Sequence, residues 1–213
     1  LRAELSRLGC EAEREVEFES FASVGSSSEE VCVLRDRDGT REKVTARFVI
    51  GADGSRSRVR REREISFDGL EYAASFVLAD VTMTWSLAPD EVQLFLARQG
   101  LVVVAPLPGG HHRIVATMDD APSQPGIAEV QQILEERGPG DAVVRSVAWS
   151  SRFRVAHRLA ASYRDGRVFL AGDAAHVHSP AGGQGMNLGI QDAVMLGGLL
   201  ADVLSGARGE EAL

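Results

Sequence analysis

Two aspartates carry the clearest chemical pattern in this sequence. Each ends an apolar run in a turn of small residues: Ile50-Gly51-Ala52-Asp53-Gly54 and Leu170-Ala171-Gly172-Asp173-Ala174. In open α/β sheets, ligands gather beyond the carboxyl ends of strands, where the turns leave room and polar groups converge. Glycine lets a ligand approach the backbone closely, and a carboxylate there can accept hydrogen bonds from the hydroxyls of a sugar or polyol chain. Each aspartate can also be read as the cap of the helix that follows it. Two of them on matching strand ends point toward one shared ligand.

The segment Ser179-Pro180-Ala181-Gly182-Gly183-Gln184-Gly185-Met186-Asn187 is more specific. Three glycines beside a helix start leave backbone N–H groups unshielded, and the helix N-terminus adds about half a positive elementary charge. An anionic or electron-rich ligand edge suits such a place. The pattern is neither G-x-x-x-x-G-K-[ST] nor G-x-G-x-x-G, so a simple nucleotide cradle is not supported. The other reading is a glycine loop that serves only close helix packing.

Other chemistry-bearing residues have plainer readings. Arg56, Arg58, Arg60, Arg61 and Arg63 read as a solvated helix face or a phosphate-facing patch. Aromatic residues are not interleaved with them, which argues against nucleic acid. His176 and His178 with Asp173 have a spacing compatible with metal ligation, but no cysteine or further carboxylate lies close in sequence, and no metal is expected. His111-His112 reads as a surface hairpin turn, and Trp85, Phe95 and Trp149 as core or pocket wall.

The elements that must position these groups fall into three stretches. An amphipathic helix opens the chain, with Leu1, Leu5 and Leu8 on one face and Gly9 as its stop. Alternation over 16–20, a strand at 31–33 with a hairpin turn at Asp38-Gly39, and a strand over 44–52 follow. The end of that last strand is apolar on both faces, as a buried parallel strand should be. Residues 55–63 read as a short helix. From 66 to about 147 the pattern becomes antiparallel: strands at 72–84, 92–98, 101–107 and 113–118, a helix at 127–137 stopped by Gly138, and a strand over 142–153. Parallel character returns at 168–171, followed by a long helix over 186–204. The expected division is 1–65 and 151–213 as two parts of one domain, with 66–150 inserted as a sheet that covers something.

Composition bounds the function classes. The chain has 213 residues, 44% of them hydrophobic and 25% charged, an ordinary composition for a folded chain that excludes wholesale disorder. Its net charge of −8 is a poor balance for gripping nucleic acid. No uninterrupted apolar run approaches the roughly 20 residues needed to cross a bilayer, so no membrane partner is expected. Two cysteines, Cys10 and Cys32, make no disulfide framework, and a reducing cytoplasm is the expected setting. The chain opens with Leu1 inside a helical pattern, which points to upstream sequence.

These motifs resemble the class A FAD-dependent aromatic monooxygenases, close to the polyketide and phenol hydroxylases. The run from Phe48 through Asp53-Gly54 to Arg60 is similar to their "DG" motif, and Gly166 through Gly172-Asp173 to His176 to their "GD" motif. Pro180 through Asn187, with Asp192-Ala193 beyond, resembles their loop and helix at the isoalloxazine ring. The resemblance implies a partial FAD-binding Rossmann-like α/β domain with an inserted antiparallel substrate domain. It implies FAD as cofactor, NAD(P)H as co-substrate, and O2-dependent hydroxylation of a small aromatic substrate, phenolic or polyketide. The residues it assigns to the cofactor are Asp53, Gly54, Gly172, Asp173, Pro180, Gly183, Gly185, Met186 and Asn187, with Asp173 on the ribityl chain. Phe76, Leu78, Phe95 and Leu96 are the expected roof over the substrate, and no catalytic acid or base can be named.

This sequence departs from the family pattern in one respect: it contains no G-x-G-x-x-G, the family's pyrophosphate turn. A fragment of a longer enzyme, whose sheet edge a missing N-terminal segment would pair, is therefore the expectation. The alternative is a non-catalytic remnant that binds a partner or an aromatic ligand. A halogenase on the same fold would need a tunnel lysine, and the sole lysine is Lys43.

Overall fold

The computed structural model describes residues 1–22, 28–179 and 183–213, without the side chains of 72–74. The chain divides into two compact units, Leu1–Gly69 with Arg158–Leu213, and Leu70–His157.

In the first unit, α1 (Arg2–Arg7) buries no residue. An antiparallel sheet follows in the order β1 (Glu17–Phe21), β2 (Glu30–Arg35), β3 (Arg41–Ala46). The expected single strand over 44–52 is two strands in two sheets. β3 pairs with β2, and after Arg47 and Phe48 a separate β4 (Val49–Gly51) pairs in parallel with β11 (Val168–Leu170). On its other side β11 pairs antiparallel with β10 (Arg164–Asp165). Central in this small sheet, β11 is buried throughout, as its apolar run demands. β4 has a strand on one side only among the described residues, and Ile50 is 47% exposed, so this strand is not covered on both faces.

Around these strands stand α2 (Arg58–Glu62), a single 3-10 turn at Gly172–Ala174, β12 (His176–Val177) and α4 (Gly185–Leu204). The core joins Val59 of α2 to Val168 and Leu170 of β11 and to Ala174 and Ala175, with Phe18, Phe21 and Phe67 packed against it. The 20-residue α4 is long and apolar enough to cross a membrane by length and composition alone, with a mean hydropathy of 1.2 over its 18-residue window. A run-length reading of the sequence overlooks this, because Asn187, Gln191, Asp192 and Asp202 interrupt the apolar residues.

The second unit is built on an antiparallel sheet. Its strands are β5 (Phe67–Thr84), β6 (Gln93–Ala97), β7 (Gly100–Leu107), β8 (His111–Met118) and β9 (Val143–Ala160), in the spatial order β9-β5-β8-β7-β6. β5 begins and β9 ends within the first unit. The register Val77↔Ala116↔Val102↔Phe95 defines one face of the sheet. That face packs on α3 (Ile127–Arg137) through Val130, Ile133 and Leu134. The register Leu78↔Val115↔Val103↔Leu94 defines the opposite face. His112 lies on the α3 face, only 5% exposed and beside Trp85, and is therefore a core residue rather than a surface turn. Trp149, in contrast, is largely exposed.

Candidate functional site

The parallel register Gly51↔Leu170 sets the two aspartate turns side by side at the same end of adjacent strands. Ala171 N–H extends the pairing by donating to the Gly51 carbonyl at 3.0 Å. The two carboxylates then take different roles. Asp53 Oδ2 accepts the N–H groups of Arg58 (2.7 Å) and Val59 (3.2 Å), so it caps the start of α2. Ser57 Oγ adds a second cap by accepting from Arg60 N–H at 3.0 Å. Asp173 caps nothing: it is exposed, and its carboxylate has no partner among the described residues.

Arg60 holds the turns together. It is 5% exposed, and its guanidinium donates to the carbonyls of Ala174 (2.6 Å) and Ser55 (2.9 Å), one beyond each aspartate. Its carbon centre lies 3.7 Å from the Phe67 ring centroid, a cation–π contact that covers the charge. Burial pulls its pKa below the ordinary arginine value, against the opposing pull of the Asp53 charge. The arginine run is thus not one solvated face: Arg63 stacks over Phe21 and pairs with Glu30, and Arg58 pairs with Glu17.

The glycines give the site its room. Gly54 (φ +83) and Gly183 (φ +62) adopt the left-handed conformation, with open space where a Cβ would stand. Gly172 (φ +59) meets Gly189 of α4, whose added Cβ would lie 3.4 Å from the Gly172 Cα. The N–H groups of Gly185, Met186 and Asn187 open α4 and have no intrahelical acceptor, and the N-cap residue Gln184 makes no side-chain cap hydrogen bond among the described residues. Met186 is 76% exposed, and the Asn187 side chain donates to Gln184 Oε1 at 3.0 Å. A Cβ on Gly185 would lie 3.6 Å from His178 Nε2, a buried atom without a hydrogen-bond partner among the described residues. Pro180 lies outside the described residues.

His176 does not join Asp173 and His178. Its Nε2 lies 2.7 Å from Asp192 Oδ2, and its ring stacks on Tyr163 with centroids 6.0 Å apart. Burial and the Asp192 charge raise the Tyr163 pKa. Among the described residues no group of three or more His, Cys, Asp or Glu could hold a metal ion. In the second unit, Phe76, Leu78 and Leu96 share the sheet face away from α3. Phe95 packs on the α3 side with Trp85 and cannot belong to the same surface.

Sequence reasoning singled out Arg60, His176 and Asp192 but missed their roles: Arg60 as the tie between the two turns, and Asp192 with His176 as a pair. Ser57 is readable as an N-cap, but it fixes only the Arg60 N–H and carries no signal for the buried guanidinium.

Comparison with known proteins matches the chain as a whole to a family. The family model described as FAD binding domain covers residues 1–213. The chain is 40% identical over 218 residues to 6-methylpretetramide 4-monooxygenase of Streptomyces rimosus, covering 100% of this chain and 38% of the relative. It is 38% identical over 183 residues to the uncharacterized aromatic compound monooxygenase YhjG of Bacillus subtilis (strain 168), covering 82% of this chain and 36% of the relative. Among solved structures, the anhydrotetracycline hydroxylase OxyS from Streptomyces rimosus superposes with a TM-score of 0.78 at 32% identity, covering 99% of this chain and 42% of OxyS. The chain thus spans less than two fifths of the length of these two relatives.

Proposed function

The chain belongs to the FAD binding domain family, and from that premise we propose that it serves an FAD-dependent monooxygenase hydroxylating an aromatic substrate, phenolic or polyketide, with NAD(P)H and O2. The observation that carries this reading is the pair of adjoining strand-end turns, tied by Arg60, from which Asp173 projects with an uncommitted carboxylate. Their geometry fits a flavin nucleotide. Open glycine backbone stands at Gly54 and Gly183, and the tip of α4 offers amide donors.

When bound, FAD would supply the activation of O2 at the expense of NAD(P)H, and the aromatic ring would take up one oxygen atom. Asp173 would accept hydrogen bonds from the ribityl hydroxyls, with Gly172 leaving the backbone bare beside it. The N–H groups of Gly185, Met186 and Asn187 would meet the electron-rich pyrimidine edge of the ring, an electrostatic contribution of the oxyanion-hole kind. Asp53 would act indirectly, by fixing the start of α2 and the Gly54 backbone. The apolar sheet face bearing Phe76, Leu78 and Leu96 would contact the substrate rings and exclude water from them. In a cytoplasmic setting Cys10 and Cys32 would remain the free thiols seen here.

The test is FAD titration of the purified protein, followed by gel filtration. A flavin absorption band that travels with the protein is the expected result, and a colourless protein at saturating FAD overturns the reading for this chain.

A further inference from the structure

We propose that Asp192 is a positioning residue for the flavin site: one carboxylate oxygen holds both ends of the turn from which Asp173 projects. The proposal rests on the FAD reading above and deepens it.

Asp192 Oδ2 accepts the Gly172 N–H at 2.8 Å and lies 2.7 Å from His176 Nε2, so a single atom of α4 grips the turn just before Asp173 and three residues after it. Gly189 stands one helical turn earlier on the same face of α4 and brings the helix against Gly172. Asp192 and Gly189 together therefore fix both the distance and the rotation of the turn relative to the helix. The remaining backbone is held elsewhere. Ala171 N–H donates to Gly51, the Ala174 carbonyl accepts from Arg60, and the Ala175 carbonyl accepts from Ala160 N–H at 2.7 Å. Every flank of Asp173 is pinned while its own carboxylate is left uncommitted, which is the arrangement of a preorganised ligand contact.

The pair is well shielded, with side-chain exposures of 25% for Asp192 and 14% for His176. Stacking on Tyr163 fixes the plane of the imidazole, and the Tyr163 carbonyl accepts Leu170 N–H at 2.9 Å, so the clasp is continuous with β11. Without the Asp192 acceptor, the Gly172 amide and the histidine lose their common partner. The turn would then have to be ordered by the cofactor, at the expense of affinity.

The experiment compares wild type with Asp192→Asn and Asp192→Leu. Asparagine keeps an oxygen where both donors point, whereas leucine keeps volume and removes the acceptor. Two readouts are taken: the dissociation constant for FAD by fluorescence quenching, and hydrogen exchange at the Gly172 amide without FAD. Leucine should weaken FAD binding by about tenfold or more and speed Gly172 exchange at least as much, while asparagine stays within about threefold of wild type in both. Exchange in β11 should stay unchanged in both variants. The proposal is overturned if the leucine variant keeps either its FAD affinity or its Gly172 protection. Equal losses in both variants, accompanied by faster exchange in β11, would overturn it too, since the loss would then be one of core stability. A wild-type protein that binds no FAD would sink the flavin reading itself, and the exchange data, which need no cofactor, would still decide the clasp.

Discussion

The Asp53 carboxylate is committed to two amides of α2, whereas that of Asp173 accepts nothing among the described residues. Equivalent strand ends thus predict unequal mutants. Asp173→Ala should leave stability within about 0.5 kcal/mol of wild type, as exposed substitutions do, yet weaken FAD binding about tenfold, measured by urea unfolding and FAD titration. Arg60→Met reverses the pattern. It leaves the Ala174 and Ser55 carbonyls without their donor, at a cost of about 2–4 kcal/mol in unfolding free energy. His112 predicts a pH dependence. Burial beside Trp85 lowers its pKa, so the folded protein holds it neutral while the unfolded chain protonates it near pH 6.5. The unfolded state then binds the extra proton, so the contribution of His112 to stability is present above that pH and is lost as pH falls through the depressed folded value. His112→Leu should flatten the slope of unfolding free energy between pH 7.5 and 5, and an unchanged slope would exclude His112 as its source.

At the level of elements, the legible parts of the sequence are those whose ends carry their own chemistry. Helix α3 runs from Ile127 to Arg137, where Gly126 and Gly138 bound it, and the Gly126 amide donates to Glu129 Oε2 at 2.8 Å. Strands β6, β7 and β8 are readable because turn residues bracket them, whereas β5 begins at Phe67, before the expected 72, and β9 runs on to Ala160, past the expected 153. What could not be read is where a continuous run changes sheets: nothing but Arg47 and Phe48 separates β3 from β4, and pairing with a strand some 120 positions away decides it. Facing was equally hidden at His112, where the hairpin signal at Pro108-Gly109-Gly110 is sound but the register with Val81 turns the next histidine inward. In the site, both aspartate turns and the glycine segment were legible as motifs. Arg60 was not, since a run of arginines does not show which of them the fold buries. Gly100 offers a test at this scale. Its φ is +123, and an added Cβ would stand 2.0 Å from Thr117 Oγ1. Gly100→Ala should cost about 2 kcal/mol or more through strain and overlap. Adding Thr117→Ala should recover the overlap but not the strain.

Across the whole molecule, the unequal covering of apolar surface stands out. In the second unit the α3 face is closed, with Val77, Val81, Val102, Val104 and Ile114 fully buried. In the first unit, Met186, Ile190 and Val194 recur at every fourth position along α4 and are all exposed, forming a continuous apolar stripe. Such a stripe is larger than the scattered apolar residues that a soluble surface tolerates without consequence. Membrane crossing is a poor account of it, because Asp192 of the same helix is engaged by Gly172 and His176 within the unit. Self-association in water is the expected result instead. Replacing Ile190 with Lys and Val194 with Glu puts opposite charges one turn apart on the stripe. It should shift sedimentation velocity profiles toward the monomer while changing unfolding free energy by no more than about 0.5 kcal/mol. An unfolding free energy lowered by several times that amount would mean that the stripe packs within the chain in solution. An unchanged sedimentation profile would mean that the stripe does not drive association.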